Sequence, residues 1–179
     1  MTTGPDADFT ALVERQSRFV FRVAYAVLLN SYDAEDAVQE TFLKLYRNRG
    51  WENVENERAF LARVAWRVAV DLGPRAARPS LSLADAHEPK EATSPRPGPE
   101  ESLLSANQHA MVHGMIDALG EEFRVPLILA AFEDLSSREI GAILGIPEGT
   151  VRTRLKRARQ ILRQKLSAIA PRSEEVRNA

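Results

Sequence analysis

The sequence predicts an all-α protein: two small helical domains joined by a flexible, proline-rich linker, the second containing a helix-turn-helix. Apolar residues recur at helical spacing over residues 9–72 and 101–168, and no stretch alternates as a strand would. Between them, residues 73–100 contain six prolines, a density that helix interiors do not tolerate. These two observations fix the fold class.

The organisation follows from these composition shifts. A chain of 179 residues is long enough for one ordinary domain or two small ones. We expect a first domain over residues 1–75, a linker over 76–100, a second domain over 101–170 and a frayed tail over 171–179.

Composition narrows the function classes. The chain has no cysteine, which excludes disulfides, thiolate zinc sites and a cysteine nucleophile. The start, MTTGPDADF, lacks the basic and apolar runs of a signal peptide, and no stretch approaches the ~20 apolar residues of a membrane helix. We therefore expect a cytoplasmic protein with no membrane partner, no metal, no cofactor and no catalytic residues.

An acidic helix follows the first helical stretch. In SYDAEDAVQETFLKLYRNR, the apolar residues Val38, Phe42 and Leu45 form one stripe, while Asp36, Gln39 and Glu40 project elsewhere. On charge alone this is a solvated acidic face. Acid–base chemistry or a divalent metal lacks support, because no histidine and no phosphate-binding loop accompany the carboxylates in this domain.

The next helical stretch, AFLARVAWRVAVDL, carries cationic side chains. Two of them are Arg63 and Arg67. Gly73 and Pro74 follow and predict that the helix ends there.

The segment SSREIGAILGIPEGTV predicts a helix-turn-helix. Ser136 and Glu139 form a capping-box pattern that opens a helix, and Gly145 is suited to end it. Pro147 suits the first turn of the next helix, where a missing N–H costs nothing. Helix, short glycine-containing turn and helix is the pattern of this DNA-binding motif.

The second helix of the motif separates into an apolar and a cationic face. At 100° per residue, Val151, Leu155, Ala158 and Leu162 fall on one side. We call Arg152, Thr153, Lys156 and Gln160, which fall on the opposite side, the recognition face. Such a helix fits the major groove, where Arg and Lys contact guanine edges. Gly149 has no side chain and allows a close approach of backbone or phosphate near the helix start.

The C-terminal sequence resembles region four of the extracytoplasmic-function sigma factors, the small two-domain bacterial sigma factors. The matching residues are DLS, EIGAILGIP and GTVRTRL, with Thr153 for the usual serine, Asp134 where glycine is common and Gly120 where proline is common. The resemblance implies binding to the minus-thirty-five promoter element. It places Arg152, Thr153, Lys156 and Arg157 at the positions that face DNA.

The N-terminal sequence resembles region two of the same family. DAEDAVQETFL matches the segment that docks on the coiled coil of the polymerase clamp, which implies Asp36, Gln39, Glu40 and Phe42 as polymerase contacts. AFLARVAWRVAVDL resembles the helix for the minus-ten element, although Arg67 stands where asparagine is usual. The resemblance implies that Arg63 and Arg67 contact DNA phosphates. GWENVENERAF corresponds to the loop that holds a flipped base, which implies roles for Trp51, Asn53 and Asn56.

The resemblance implies a complete set of partners: core RNA polymerase (clamp and flap), promoter DNA and an anti-sigma factor. The expected function is promoter-specific initiation, with assistance to DNA opening. Two alternatives remain from the residues alone. One is a stand-alone helix-turn-helix regulator that binds operators as a dimer; the other is a sigma-like interaction protein that sequesters a regulator.

Overall fold

The computed structural model of the chain describes residues 5–52, 54–76 and 109–169, and seven α-helices without a β-strand run through this part. They are α1 (Pro5–Leu28), α2 (Ser31–Asn48), α3 (Glu57–Ala76), α4 (109–117), α5 (Glu121–Ala131), α6 (Ser137–Leu144) and α7 (Glu148–Ile169). We call α1–α3 the N-terminal half and α4–α7 the C-terminal half. The all-α prediction is confirmed.

The N-terminal half is a three-helix bundle. Helix α1 packs on both α2 and α3, and buries Phe19, Val20 and Val23 against them. Asn30 caps α2 by accepting hydrogen bonds from the backbone amides of Tyr32 and Asp33 at 2.9 and 3.3 Å. None of the helices described here is long and apolar enough to cross a membrane.

Helix α3 is longer than the sequence predicts. The expected end at Gly73 and Pro74 is wrong, since the backbone stays helical to Ala76. A proline disfavours helical geometry in the residue before it partly because its ring crowds that residue's Cβ. Gly73 has no Cβ, so the penalty is reduced. The predicted linker beyond Ala76, and the tail 171–179, lie outside the described residues.

The helix-turn-helix prediction is confirmed in its details. Ser136 and Glu139 form both hydrogen bonds of the capping box at the start of α6. Gly145 ends α6 in the left-handed conformation, at φ 69°. Pro147 lies one residue before α7, and its carbonyl accepts from the amides of Thr150 and Val151. Asp134 has φ 54°, which explains why this position favours glycine.

The two halves pack closely against each other. Helix α1 contacts α5, and α3 contacts α6. A single cluster of buried apolar side chains extends from Phe19 and Leu61 in the N-terminal half to Leu129 and Ile140 in the C-terminal half. The sequence did not predict this contact, because residues 77–108 separate its two sides along the chain.

Arg124 joins α5 to the end of α1. Its buried guanidinium donates to the carbonyl of Ala26 at 2.7 Å, and to the carbonyls of Asp117 and Leu119 at 3.1 and 2.5 Å. The last carbonyls of a helix have no partner within it, and those of Ala26 and Asp117 belong to the final turns of α1 and α4. Arg124 therefore satisfies acceptors in both halves.

A tyrosine–aspartate contact lies beside Arg124. The hydroxyl of Tyr25 donates to Asp117 Oδ2 at 3.3 Å. Burial, and then the negative charge of Asp117, raise the pKa of Tyr25 above its ordinary value. The tyrosine is thus a neutral hydrogen-bond donor across the contact between the halves.

Replacement of Glu139 tests the capping box and its pH dependence. Hydrogen bonds from the Ser136 hydroxyl and amide, with a smaller contribution from Asn56, lower the pKa of Glu139 below its ordinary value of 4.5. Its stabilisation is therefore present above about pH 4.5 and is lost as the pH falls through the lowered value. We expect Glu139→Gln to lower the free energy of unfolding by roughly 0.5 kcal/mol at pH 7, and progressively less in acid.

Urea unfolding from pH 7 to pH 3 measures this difference. The matched control is Glu55→Gln, which removes an exposed loop carboxylate. If the loss in free energy of unfolding caused by Glu139→Gln stays constant in acid, the charge of the carboxylate is not what stabilises the capping box.

Candidate nucleic-acid interface

Helix α7 presents the recognition face to solvent. Val151, Leu155 and Ala158 are buried against the C-terminal half, and Leu162 is half-buried. The side chains of the recognition face, and that of Arg157, are exposed. The division between an apolar and a cationic side, predicted from the helical angle, is observed.

Local hydrogen bonds hold the recognition face in place. Arg152 pairs with Glu148 one turn earlier, and Arg157 Nη1 donates to Gln160 Oε1 at 3.1 Å. The Thr153 hydroxyl donates to the carbonyl of Gly149 at 3.0 Å. Several polar groups of this surface are therefore already ordered, while their remaining donors face solvent.

Gly149 lies in the first turn of α7, next to this surface. A Cβ built on Gly149 meets no atom within 4 Å among the residues described. A close approach of protein backbone, one of the two explanations offered by the sequence, is therefore not what glycine serves here. The open space beside Gly149 leaves room for a phosphate at the start of the helix.

The loop before α3 is engaged by the protein itself. Trp51 is half-buried and lies 5.4 Å from the ring of Phe9, so it packs on the core of the N-terminal half. Asn56 Oδ1 accepts from the amide of Ala59 and caps α3, while its Nδ2 donates to Glu139 Oε1 of α6 at 2.5 Å. Asn53 lies outside the described residues.

Helix α3 keeps a cationic strip open. Arg63 and Arg67 are exposed on the same face. On another face, Trp66 is half-buried and lines a small cleft between the halves with Pro126, Leu144 and other residues of the C-terminal half. The helix implied to bind the minus-ten element is thus covered on one side and free on another.

The acidic face of α2, defined as Asp36, Gln39 and Glu40, lies on the surface. Asp36 and Gln39 are exposed, and Glu40 is half-exposed and pairs with Lys44 at 3.6 Å. Phe42 is only 6% exposed and meets Phe9 edge to face, so it holds α2 on the core. The exposed apolar neighbours of this face are Leu43 and Tyr46.

Two arginines of the N-terminal half converge on a glutamate of the other half. Arg22 Nε lies 2.6 Å from Glu133 Oε1, and Arg58 Nη2 lies 3.5 Å from Glu133 Oε2. The Glu133 side chain has 0% exposure, whereas those of Arg22 and Arg58 are 44% and 45% exposed. This cluster was not predictable from the sequence, because its members become neighbours only when the halves pack.

No metal centre is apparent in the part of the chain that the structure describes, where no three histidine, aspartate or glutamate side chains are grouped to hold an ion. The features suited to a partner are instead three separate surfaces. They are the recognition face of α7, the cationic strip of α3 and the acidic face of α2.

Comparison with known proteins identifies both halves. Residues 12–78 match the family described as Sigma-70 region 2, and residues 109–162 match Sigma-70, region 4. The chain is 34% identical over 157 residues to the ECF RNA polymerase sigma factor SigE of Mycolicibacterium smegmatis, which covers 87% of this chain and 60% of that protein.

Two further relatives match over most of both lengths. The RNA polymerase sigma-H factor of Pseudomonas aeruginosa is 31% identical over 175 residues, 93% of this chain and 90% of that protein. The ECF RNA polymerase sigma-E factor of Escherichia coli is 33% identical over 163 residues, 85% of this chain and 84% of that protein.

Solved structures share the fold. The sigma factor RpoE from Bartonella quintana, in complex with the anti-sigma factor NepR, has a TM-score of 0.67 at 19% identity and covers 90% of this chain and 98% of its own. CnrH, in complex with the cytosolic domain of CnrY, has a TM-score of 0.62 at 22% identity, and the match covers 93% of this chain and 92% of the CnrH chain. The chain belongs to the extracytoplasmic-function sigma factors, the alternative sigma factors that direct promoter-specific transcription initiation.

Proposed function

We propose that this chain divides initiation among its three surfaces. The recognition face of α7 binds the minus-thirty-five element, the cationic strip of α3 and the loop before it bind the minus-ten element, and the acidic face of α2 binds core polymerase. The observation that carries this proposal is the exposed cationic face of α7, held on a capped helix-turn-helix within a region-four match.

DNA contacts by α7 divide by chemistry. Arg152 and Lys156 present donors that suit guanine O6 and N7, and Thr153 and Gln160 suit other base edges. Arg157 lies toward the flank and suits a phosphate. Each mismatched base pair costs only about 1–3 kcal/mol, so specificity needs the second element as well.

The minus-ten element requires a different mode of contact. Arg63 and Arg67 suit the phosphates of the strand that leaves the duplex, and Asn56 suits the edge of an extruded base. Trp51 packs on Phe9 with its ring tilted by 54° and supports the loop from beneath. Arg67, which replaces the usual asparagine, shifts this helix toward backbone contacts.

The polymerase contact rests on charge and shape. The carboxylates Asp36 and Glu40 suit a basic partner surface, chiefly by steering the encounter. Exposed Leu43 and Tyr46 beside them supply apolar area, and Phe42 acts from below by fixing α2. The clamp is the partner of the acidic face, and the flap is the partner of the C-terminal half.

The solved relatives support one further partner. The RpoE structure contains the anti-sigma factor NepR, and the CnrH structure contains the cytosolic domain of CnrY. An anti-sigma factor that masks polymerase-binding surfaces is therefore the expected regulator of this chain. The chain itself acts in the cytoplasm with RNA polymerase and has no catalytic step of its own.

The test is run-off transcription from a genomic fragment library with purified core RNA polymerase, with and without this protein. New transcripts that share a pair of upstream elements support the proposal. No new transcripts, together with binding of the protein alone to symmetric half-sites, would favour the dimeric operator-binding regulator. Neither transcripts nor DNA binding would favour the sequestering protein.

Arg152→Ala tests the base contacts of α7. We expect about a tenfold loss of affinity for the upstream element, with unchanged binding to core polymerase.

The control is Arg163→Ala, about three turns further along α7, which removes the same charge. It should weaken binding to all duplexes alike and reduce the salt dependence. Fluorescence anisotropy with cognate and scrambled duplexes measures both. Loss of polymerase binding by Arg152→Ala would contradict the division of surfaces.

Gly149→Ala separates folding from DNA contact. The added methyl meets nothing within 4 Å in the described residues, so helix propensity should raise the free energy of unfolding by about 0.5–1 kcal/mol. The same methyl should weaken binding to the upstream element by keeping a phosphate from the first turn of α7. Urea unfolding and anisotropy give the two values. A variant that is more stable and binds equally well would exclude a phosphate at Gly149.

A further inference from the structure

The contact between the halves engages one part of the promoter-binding surface and leaves the rest free. Asn56 donates to Glu139 of α6, and Arg58 reaches Glu133. The exposed strip of Arg63 and Arg67 is not covered. The recognition face of α7 and the acidic face of α2 are also exposed. The packed chain therefore withholds a specific set of groups around the start of α3.

Glu133 is the centre of this contact. Its side chain has 0% exposure, and the two arginines with which it pairs in the described residues, Arg22 and Arg58, both belong to the N-terminal half. The pairing is incomplete, because Oε2 has no hydrogen bond and Arg58 Nη2 lies 3.5 Å from it. A buried carboxylate is costly to leave without its cations, and this one depends on the other half for them, so the contact is sensitive to competition for the two arginines.

The two arginines are arranged to hold an anion. Arg58 lies over the ring of Phe19, 5.4 Å from its centroid, and Phe19 is buried in the N-terminal core. Arg22 projects from α1 toward the same carboxylate. Both side chains are nearly half exposed, so they reach solvent even with the halves packed. Two guanidinium groups that converge on one carboxylate also match the oxygens of a phosphate.

We propose that Arg22 and Arg58 form a binding site for a backbone phosphate of the separated promoter strand, and that Glu133 occupies this site when the halves are packed. The C-terminal half thereby keeps the strand from these two arginines, while the strip of Arg63 and Arg67, the recognition face and the acidic face stay open. This inference rests on the proposed function, since it assigns a regulation to the minus-ten surface. A separated strand opens the contact by competing with this one carboxylate for the arginines, and polymerase opens it by holding the two halves on its clamp and its flap.

The test measures binding of a fluorescein-labelled 20-nucleotide oligothymidine to the full chain by anisotropy at low salt. Glu133→Gln removes the charge that occupies the site, and we expect its affinity to exceed that of the unmodified chain about tenfold. The matched control is Asp134→Asn, which removes a neighbouring, exposed charge and suits the left-handed backbone at that position. It should change the affinity less than twofold.

A second pair of variants locates the gain. Glu133→Gln combined with Arg58→Ala should return the affinity to that of the unmodified chain, whereas Glu133→Gln combined with Arg47→Ala, on exposed α2, should keep most of the gain. Circular dichroism confirms that each variant is helical. Glu133→Lys, which sets a third cation against the two arginines, provides an independent opening variant.

Two results would overturn the inference. Equal affinities of Glu133→Gln, Glu133→Lys and Asp134→Asn would show that the carboxylate blocks nothing. A gain that survives Arg58→Ala would show that the strand binds elsewhere. Neither result bears on the proposed function, which run-off transcription by the unmodified chain tests separately, since oligothymidine binding requires no polymerase.

Discussion

The buried carboxylate of Glu133 joins the two halves of this protein. It places one negative charge, with 0% exposure, between two arginines of the other half. The packing of α5 on α1 and of α6 on α3 therefore depends on an ion pair as well as on buried apolar area. Removing one partner of a buried pair is costly, because the other charge stays desolvated. Around it, Arg124 and Tyr25 add polar contacts that are satisfied only when the halves meet.

This arrangement gives the chain an order of events. The acidic face of α2 and the recognition face of α7 lie on the surface of the packed protein, so encounter with polymerase and with duplex DNA needs no rearrangement. The groups at the start of α3 are engaged by α6 and by Glu133. Access of a separated strand to these groups therefore follows opening of the contact. In this account, the same residues that restrain the free protein bind DNA in the initiation complex.

Local patterns predicted the helix-turn-helix well. Ser136 with Glu139, Gly145, and the apolar series Val151, Leu155 and Ala158 are rules that act within one or two turns, and the structure follows each of them. The end of α3 was missed, because Gly73 relieves the crowding that proline usually imposes on its predecessor. Trp51 and Phe42 both pack on Phe9 of α1, a contact between segments that no local pattern predicts.

The ionic contact between the halves was beyond sequence reasoning for a different reason. Arg22, Arg58 and Glu133 each look like ordinary surface charges in their own segments, and 111 positions separate Arg22 from Glu133 along the chain. Nothing local marks them as partners. In the same way, Asn56 was singled out for its resemblance to a base-binding loop, while its hydrogen bond to Glu139 across 83 positions was not predictable.

The distance between the halves tests the central claim most directly. The chain has no cysteine, so Ala11→Cys in α1 and Gln164→Cys in α7, both exposed positions, accept a pair of fluorophores without background labelling. We expect the free chain to show one narrow population with high fluorescence energy transfer between the two fluorophores. This population should shift to low energy transfer when core RNA polymerase is added or when Glu133 is replaced by lysine. A free chain that already shows the low-transfer distribution of the Glu133→Lys variant would contradict it.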